Sequence, residues 1–489
     1  MITPRRPSLH RAHRQQLLDA LGEGQAVLIF AAPQATRSND TEYRYRPDSD
    51  LWYLTGWEQP EAALLLRKGA DQPTLLFVQA RNPEREIWEG RRPGPEGAVR
   101  DYGVDAAFPY DELGPKLPDL LMGYRDLHYA IARDPLHDQL VAGAIRASRK
   151  KARKHGLETP SAFIDPSRLL HELRLHKSPE ELEIMRRAAE ITAEAHVAAM
   201  AMTAPGLREL ELEAEIERIF RVRGGNGPGY TTIVGGGDNA TILHYIENDA
   251  ALQDGDLVCV DAGCEFDYYT ADVTRTWPVN GRFSAAQKEL YELVLEAELA
   301  CIERVRPGVT HKQIHDLAVE ILTRGMVRLG LLSYDREAEL AWAEAQGEEL
   351  PEELPADASP EELVARLVET ERYKRYYMHG TGHWLGIDVH DVGAYVALGD
   401  SRACAPGMVT TIEPGLYIPR DDDKAPERFR GIGIRVEDDV LCTEGAPEVL
   451  TASIPKGIAE IEALVGTAVR AASRFDAYKN EVLDKEGEG

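Results

Sequence analysis

Apolar and polar positions fall along this chain in two regimes. Through roughly the first third, strand-sized apolar runs at 26–30, 62–66 and 74–78 alternate with turn residues and helical stretches, which predicts a mixed α/β domain with its own sheet over residues 1–173. Ahead of these runs, residues 8–21 read as a surface helix whose Leu17, Leu18 and Leu21 share one stripe. The second regime opens at Ser178-Pro179-Glu180-Glu181. There an N-cap serine, a proline at the first helical position and a glutamate at the third start a long helix running to about Met202. The same signal at Ser359-Pro360-Glu361-Glu362 lies in an acidic stretch, 335–371, read as a helical surface insertion with a solvated face. Residues 471–489 read as a charged C-terminal tail.

The second regime contains an internal repeat. Gly255-Asp256-Leu257-Val258-Cys259-Val260-Asp261-Ala262-Gly263 and Gly407-Met408-Val409-Thr410-Thr411-Ile412-Glu413-Pro414-Gly415 align without a gap, with an acid at the seventh place and glycine at both ends. Upstream of each lies a matching break, Ala204-Pro205-Gly206-Leu207 and Arg306-Pro307-Gly308-Val309, flanked by helical patterns. Residues 174–470 therefore read as two copies of a helix, helix, strand, strand unit. A pseudo-two-fold between such copies sets equivalent residues face to face, and here those residues are acids.

Each strand is followed by a stretch that reads as its hairpin partner, 267–278 and 431–442, and each partner carries a further acid, Asp272 or Glu437. Four carboxylates then converge in a strand-rich interior. Like charges a few Å apart raise one another's pKa and burial adds a desolvation cost, so the four cannot all stay ionised uncompensated. Two divalent cations would cancel the charge; pairing with neighbours such as Arg275 or Arg435 is the other way to do so. Between the acid pairs runs His379-Gly380-Thr381-Gly382-His383-Trp384-Leu385-Gly386-Ile387-Asp388-Val389-His390-Asp391, which places three histidines within 12 residues in a chain that has 14. A carboxylate-rich set with imidazole and no thiolate favours Mn²⁺, Co²⁺ or Zn²⁺ in a dinuclear site over a structural zinc.

Composition narrows the partners. Across 489 residues, 56 Lys+Arg stand against 83 Asp+Glu, a net charge of −27 that repels nucleic acid and anionic membrane surfaces. No apolar run approaches the roughly 18 residues of a membrane helix. Arg5, Arg6, Arg11 and Arg14 near the start are not followed by the apolar core of a signal segment. Five cysteines without a CxxC pair indicate neither a disulfide framework nor a thiolate zinc site, and a reducing cytoplasm fits best.

The order Asp261, Asp272, His383, Glu413, Glu437 and three strings carry a resemblance. The strings are His379-Gly380-x-x-His383-Trp384-Leu385-Gly386, Thr411-Ile412-Glu413-Pro414-Gly415-Leu416-Tyr417 and Gly431-Ile432-Gly433-Ile434-Arg435-Val436-Glu437-Asp438-Asp439. Together they resemble the bacterial Xaa-Pro aminopeptidases (aminopeptidase P) of the pita-bread metallopeptidases. Leu51-Trp52-Tyr53-Leu54-Thr55-Gly56, Glu86-Ile87-Trp88-Glu89-Gly90-Arg91-Arg92 and Ser161-Ala162-Phe163-Ile164-Asp165 extend it into the first domain, and Ile233-Val234-Gly235 with His244-Tyr245 into the second. The acidic insertion at 335–371 is the main departure.

The resemblance implies an α/β (α+β) chain, with an aminopeptidase-P-type N-terminal domain followed by a pita-bread catalytic domain. It implies two divalent metal ions, Mn²⁺ first, with Asp261 chelating the outer one, Asp272 and Glu437 bridging, and His383 and Glu413 completing the inner one. A water shared by two cations then becomes the nucleophile. Glu413 is implied as proton shuttle, His390 and His244 as hydrogen-bond partners of substrate carbonyl and intermediate, and His379 and Arg435 as the lining for the second substrate residue. The implied reaction removes the first residue from peptides with proline second. The alternatives are prolidase action on Xaa-Pro dipeptides and, further off, methionine aminopeptidase, a creatinase-like hydrolase or a metal-free binding module. By the same resemblance Trp88 reaches a neighbouring subunit's active site, and a homotetramer or dimer is expected.

Overall fold

The computed structural model describes residues 6–347, 352–397 and 399–468, so the expected tail at 471–489 lies outside the described residues. The chain divides into two compact units, Met1–Leu175 and His176–Gly489. In the first, helix α1 (Pro7–Ala20) buries Leu9, Leu17 and Leu18. Strands β1 (Gln25–Phe30), β2 (Ala63–Arg67), β3 (Thr74–Val78), β4 (Ala106–Pro109), β5 (Asp126–His128) and β6 (Ala162–Ile164) form one mixed sheet in the order β4-β3-β2-β1-β5-β6. β1, β2 and β3 are antiparallel neighbours, whereas β5 and β6 add in parallel beyond β1. Their apolar runs are nearly unbroken because both faces are buried. One face packs Leu28, Leu65 and Phe77 against Leu113, Leu117, Val141 and Ile145. Helix α2 (Pro83–Glu89), capped by the Asn82 side chain, buries none of its residues.

The second unit starts with helix α3 (Pro179–Met202), closed by the capping box of Ser178 and Glu181. Helix α4 (Glu209–Val222) follows, then β7 (Ile233–Gly236), β8 (Leu257–Asp261), β9 (Cys264–Phe266), β10 (Tyr269–Thr270) and β11 (Thr274–Pro278). The second half repeats the plan with α5 (Ala285–Ile302), α6 (His311–Leu329), β12 (Val409–Ile412), β13 (Gly415–Ile418), β14 (Ile432–Arg435) and β15 (Asp438–Leu441). Between α6 and β12 stand α7 (Arg336–Gln346) and α8 (Pro360–Glu369) of the acidic stretch. This stretch is more than a solvated face: Glu339, 2% exposed, is ion-paired by Arg336 and Arg366, and α8 buries Val364 and Leu367.

One expectation changes in form. The returning stretches are not simple hairpin partners of the repeat strands. In each half an outer pair (β8 with β11, β12 with β15) and an inner pair (β9 with β10, β13 with β14) belong to different sheets. Asp272 falls in the break between β10 and β11, and Glu437 in the break between β14 and β15. A residue at such a break escapes the strict up-and-down alternation of a strand, so its side chain can turn into the crevice where the sheets part. Close approach at the crossing demands glycine: a Cβ on Gly263 would lie 1.7 Å from the Ala271 carbonyl oxygen.

Candidate metal centre

All four acids of the repeat and His383 line one cavity of about 500 Å³ within the second unit, together with His244, His379, His390, Arg435 and Tyr230. Asp261 is the last residue of β8, Glu413 the first beyond β12, and Asp272 and Glu437 occupy the two sheet breaks. His383 arrives on a loop that glycine admits, since a Cβ on Gly382 would sit 1.9 Å from the Thr411 carbonyl oxygen. Ligand atoms of Asp272, His383 and Glu437 all lie within 4.8 Å of one another. His383 Nε2 stands 3.3 Å from Asp272 and 3.6 Å from Glu413. Its Nδ1 donates to the Trp384 carbonyl at 3.0 Å, which leaves Nε2 as the ring nitrogen that faces the acids.

The protonation balance tests whether a cation fits. Burial and the neighbouring acids push Glu413 up to about 7, and they raise Asp272 and, further, Glu437. His383 is lowered by burial, but Asp272 and Glu413 outweigh that and hold it near 9. Besides His383, the acids have Arg435 within hydrogen-bond reach, whose Nη2 donates to Asp261 at 2.6 Å. The protein by itself therefore offsets only part of the charge and leaves the acids taking up protons, a balance that a bound cation would complete. Of the two compensating arginines considered from sequence, Arg435 faces the site and Arg275 turns away to Asp438.

The two halves brace each other at the acids. Thr274 Oγ1, from the first half, donates to Glu437 Oε2 at 2.6 Å, and the Asp439 carboxylate, from the second, accepts the Asp272 N–H at 3.2 Å. Tyr230 donates its hydroxyl to Asp261 Oδ1 at 2.5 Å. Arg435 spans three partners, with Nε on Thr274 Oγ1, Nη1 on the Tyr417 hydroxyl at 3.1 Å and Nη2 on Asp261. Tyr417 in turn donates to His379 Nε2 at 2.8 Å, because His379 Nδ1 already donates to the Gly380 carbonyl. The His390 ring meets that of His383 edge-on at 4.4 Å. Beside it Asp391 is ion-paired to Lys177 at 2.9 Å, both side chains 1% exposed. His244 and His390 are exposed. Trp88 is not among these residues: it belongs to the first unit, on α2, and is 87% exposed.

Sequence reading missed Tyr230, Thr274, Tyr417, Asp439 and Lys177. Tyr417 ends one of the quoted strings and Tyr230 follows a Gly-Pro-Gly run, which are weak signals. Asp439 likewise ends a quoted string, but it acts, as do Thr274 and Lys177, across the fold on residues more than 150 positions away, and nothing local marks that pairing.

Comparison with known proteins follows the same division. Residues 183–444 match the metallopeptidase family M24 and residues 10–128 the aminopeptidase P N-terminal domain. The Xaa-Pro aminopeptidase of Escherichia coli is 44% identical over 93% of this chain and 97% of its own. Human Xaa-Pro aminopeptidase 3 is 34% identical over 91% of this chain and 82% of its own. Among solved structures, the Pseudomonas aeruginosa aminopeptidase PepP superimposes with a TM-score of 0.86 at 44% identity, covering 95% of this chain and 98% of that one. Zinc-substituted E. coli aminopeptidase P in complex with product does so with a TM-score of 0.86 at 42% identity, covering 96% and 100%. With both domains matched in order and the donor set assembled in one cavity, this chain belongs to metallopeptidase family M24, among the Xaa-Pro aminopeptidases of the aminopeptidase P type.

Proposed function

We propose that this protein is a metal-dependent aminopeptidase that releases the first residue of peptides whose second residue is proline. The observation that carries this reading is the convergence of Asp261, Asp272, His383, Glu413 and Glu437 on one cavity, in a chain of the aminopeptidase P type. These five residues would hold two divalent ions, manganese first, with cobalt or zinc as alternatives. When bound, such ions supply Lewis acidity toward the scissile carbonyl and make a water acidic near neutral pH.

The chain's own residues supply the rest. An Xaa-Pro bond has no N–H and carries a ring on its nitrogen, so recognition must come from the free amine and the ring. The acids attract the peptide amine, while His379 and Arg435, linked through Tyr417, form the wall for the second residue. His390 and His244 donate hydrogen bonds to the carbonyl and the developing oxyanion. Glu413 carries the proton from the attacking water to the departing proline nitrogen.

A cytoplasmic homotetramer or dimer completes the proposal. The assembly rests on the adjacent Ile87 and Trp88, 80% and 87% exposed on α2, an apolar pair that a partner copy would cover, and the compartment on the five free cysteines. No helix among the described residues is long and apolar enough to cross a membrane.

The deciding experiment re-supplies metal-depleted protein with Mn²⁺, Co²⁺ or Zn²⁺ and compares Xaa-Pro-Yaa peptides with Xaa-Pro dipeptides. Preferential cleavage of the longer peptides is expected; preference for dipeptides would make the protein a prolidase. Light scattering of the native protein and of Trp88→Ala tests assembly. An active monomer, or a variant with unchanged size and unchanged tripeptide kinetics, would remove the oligomer from the proposal.

A further inference from the structure

Behind the acids lies a second charged cluster that the chemistry does not use. Thr274 and Glu437 turn their side chains toward the site, and the residues that follow them, Arg275 and Asp438, turn away and are fully buried. Arg275 Nη1 donates to the Glu437 carbonyl at 2.6 Å and the Thr274 carbonyl at 3.0 Å, while Nη2 donates to Asp438 Oδ1 at 2.7 Å and the Ile454 carbonyl at 3.3 Å. Asp438 also accepts from Thr451 Oγ1 at 2.6 Å and Lys456 Nζ at 2.5 Å, and Lys456 reaches Glu298 at 2.6 Å.

Two cations stand against two acids in this cluster, and the hydrogen bonds of Arg275 go to main-chain carbonyls and Asp438 rather than to the carboxylates of the cavity. Its link to the site is geometric. One planar guanidinium grips the main chain at both ends of the hydrogen bond by which the Thr274 hydroxyl holds the Glu437 carboxylate. Asp438, itself held by Thr451 and Lys456, keeps that guanidinium in place.

We infer that Arg275, locked by Asp438, is a positioning residue: it fixes the backbone of Thr274 and Glu437 and so sets the aim of the Glu437 carboxylate toward the bound metals. This rests on the metal reading proposed above. Lysine at this position keeps the charge and loses the fork, so Arg275→Lys separates aim from electrostatics. Lys456→Met serves as the control, disturbing the same cluster at its far end.

The test titrates metal-free wild type and both variants with Co²⁺, reading affinity by calorimetry and ligand geometry by the visible cobalt spectrum, with the Tm of each metal-free form alongside. For Arg275→Lys the expected result is a folded protein with cobalt affinity about 10–100-fold weaker and an altered spectrum, the range seen when groups that orient metal ligands are removed. Lys456→Met is expected to lower Tm and bind cobalt close to wild type. Wild-type affinity and spectrum in Arg275→Lys would overturn the inference, as would a Lys456→Met protein weakened as much as Arg275→Lys. Should Arg275→Lys fail to fold, Asp438→Asn carries the same two outcomes. Wild type that binds no cobalt would instead sink the metal reading itself.

Discussion

In the first half of the repeat the acid that ends the outer strand, Asp261, is held on both oxygens, by Tyr230 at 2.5 Å and Arg435 at 2.6 Å. Its counterpart Glu413 has one longer contact, from Thr411 Oγ1 at 3.3 Å, with imidazoles at 3.6 and 3.8 Å. The inner hairpins differ as well. β9 and β10 join through Asp267 and Tyr268, whose φ of 50° and 63° suit a two-residue turn of the type that matches strand twist. β13 and β14 are joined by residues 419–431, where Asp422 is clasped by Arg375 and Tyr376. One backbone plan thus presents its acid in two ways: a short one gripped on both oxygens, and a longer one with looser contacts.

Removing either acid proposed to bridge the ions should have the largest effect. Asp272→Ala or Glu437→Ala is expected to lower kcat/KM roughly 10³-fold or more, since a metal ion contributes several kcal/mol to such transition states. Metal content should fall with it; a variant keeping two metals and normal turnover refutes the bridging roles. Glu413→Gln separates the halves: kcat should drop by about 10²–10⁴-fold, the range of positioned acid–base groups, while metal content and Asp261 stay in place. Loss of metal in step with activity would show that Glu413 matters more for holding the ions than for moving the proton.

Arg435→Ala comes next. Turnover of proline peptides should fall roughly 10–100-fold with metal mostly retained. Metal lost in proportion would show that its bond to Asp261 outweighs its place in the substrate wall.

The smallest effect concerns the longer hairpin. Burial by itself would raise Asp422, but the hydrogen bonds from Arg375 and Tyr376 bring it down to about 2. A folded pKa below the usual 3.8 contributes stability that is present above pH 3.8 and lost as pH falls through 2. Asp422→Asn should therefore cost about 1 kcal/mol at neutral pH, discounted for partial solvent screening. The difference in Tm from wild type should close between about pH 4 and pH 2; a constant gap would mean that the carboxylate's charge contributes nothing.

Local chemistry explains what could be read along the chain. The Ser178 and Ser359 helix starts are capping boxes that need only neighbouring residues. The repeat places an acid at the seventh position of each copy because the same strand end is built twice. Gly382 and Gly263 betray close backbone approach, though not what approaches. The switch of sheets at Asp272 and Glu437 was not legible, since a hairpin and a broken strand share one apolar pattern.

Amino-acid order alone thus determined the two-part organisation and the acids and histidines able to form a donor set, because those depend on residue type and spacing. Tertiary structure decided which acid is gripped on both oxygens and which is held more loosely, that Arg435 faces the site while Arg275 backs it, and that Thr274 and Asp439 each steady the other half's acid. Those outcomes hang on hydrogen bonds a few Å long between residues more than 150 positions apart, and only the folded chain brings such partners together.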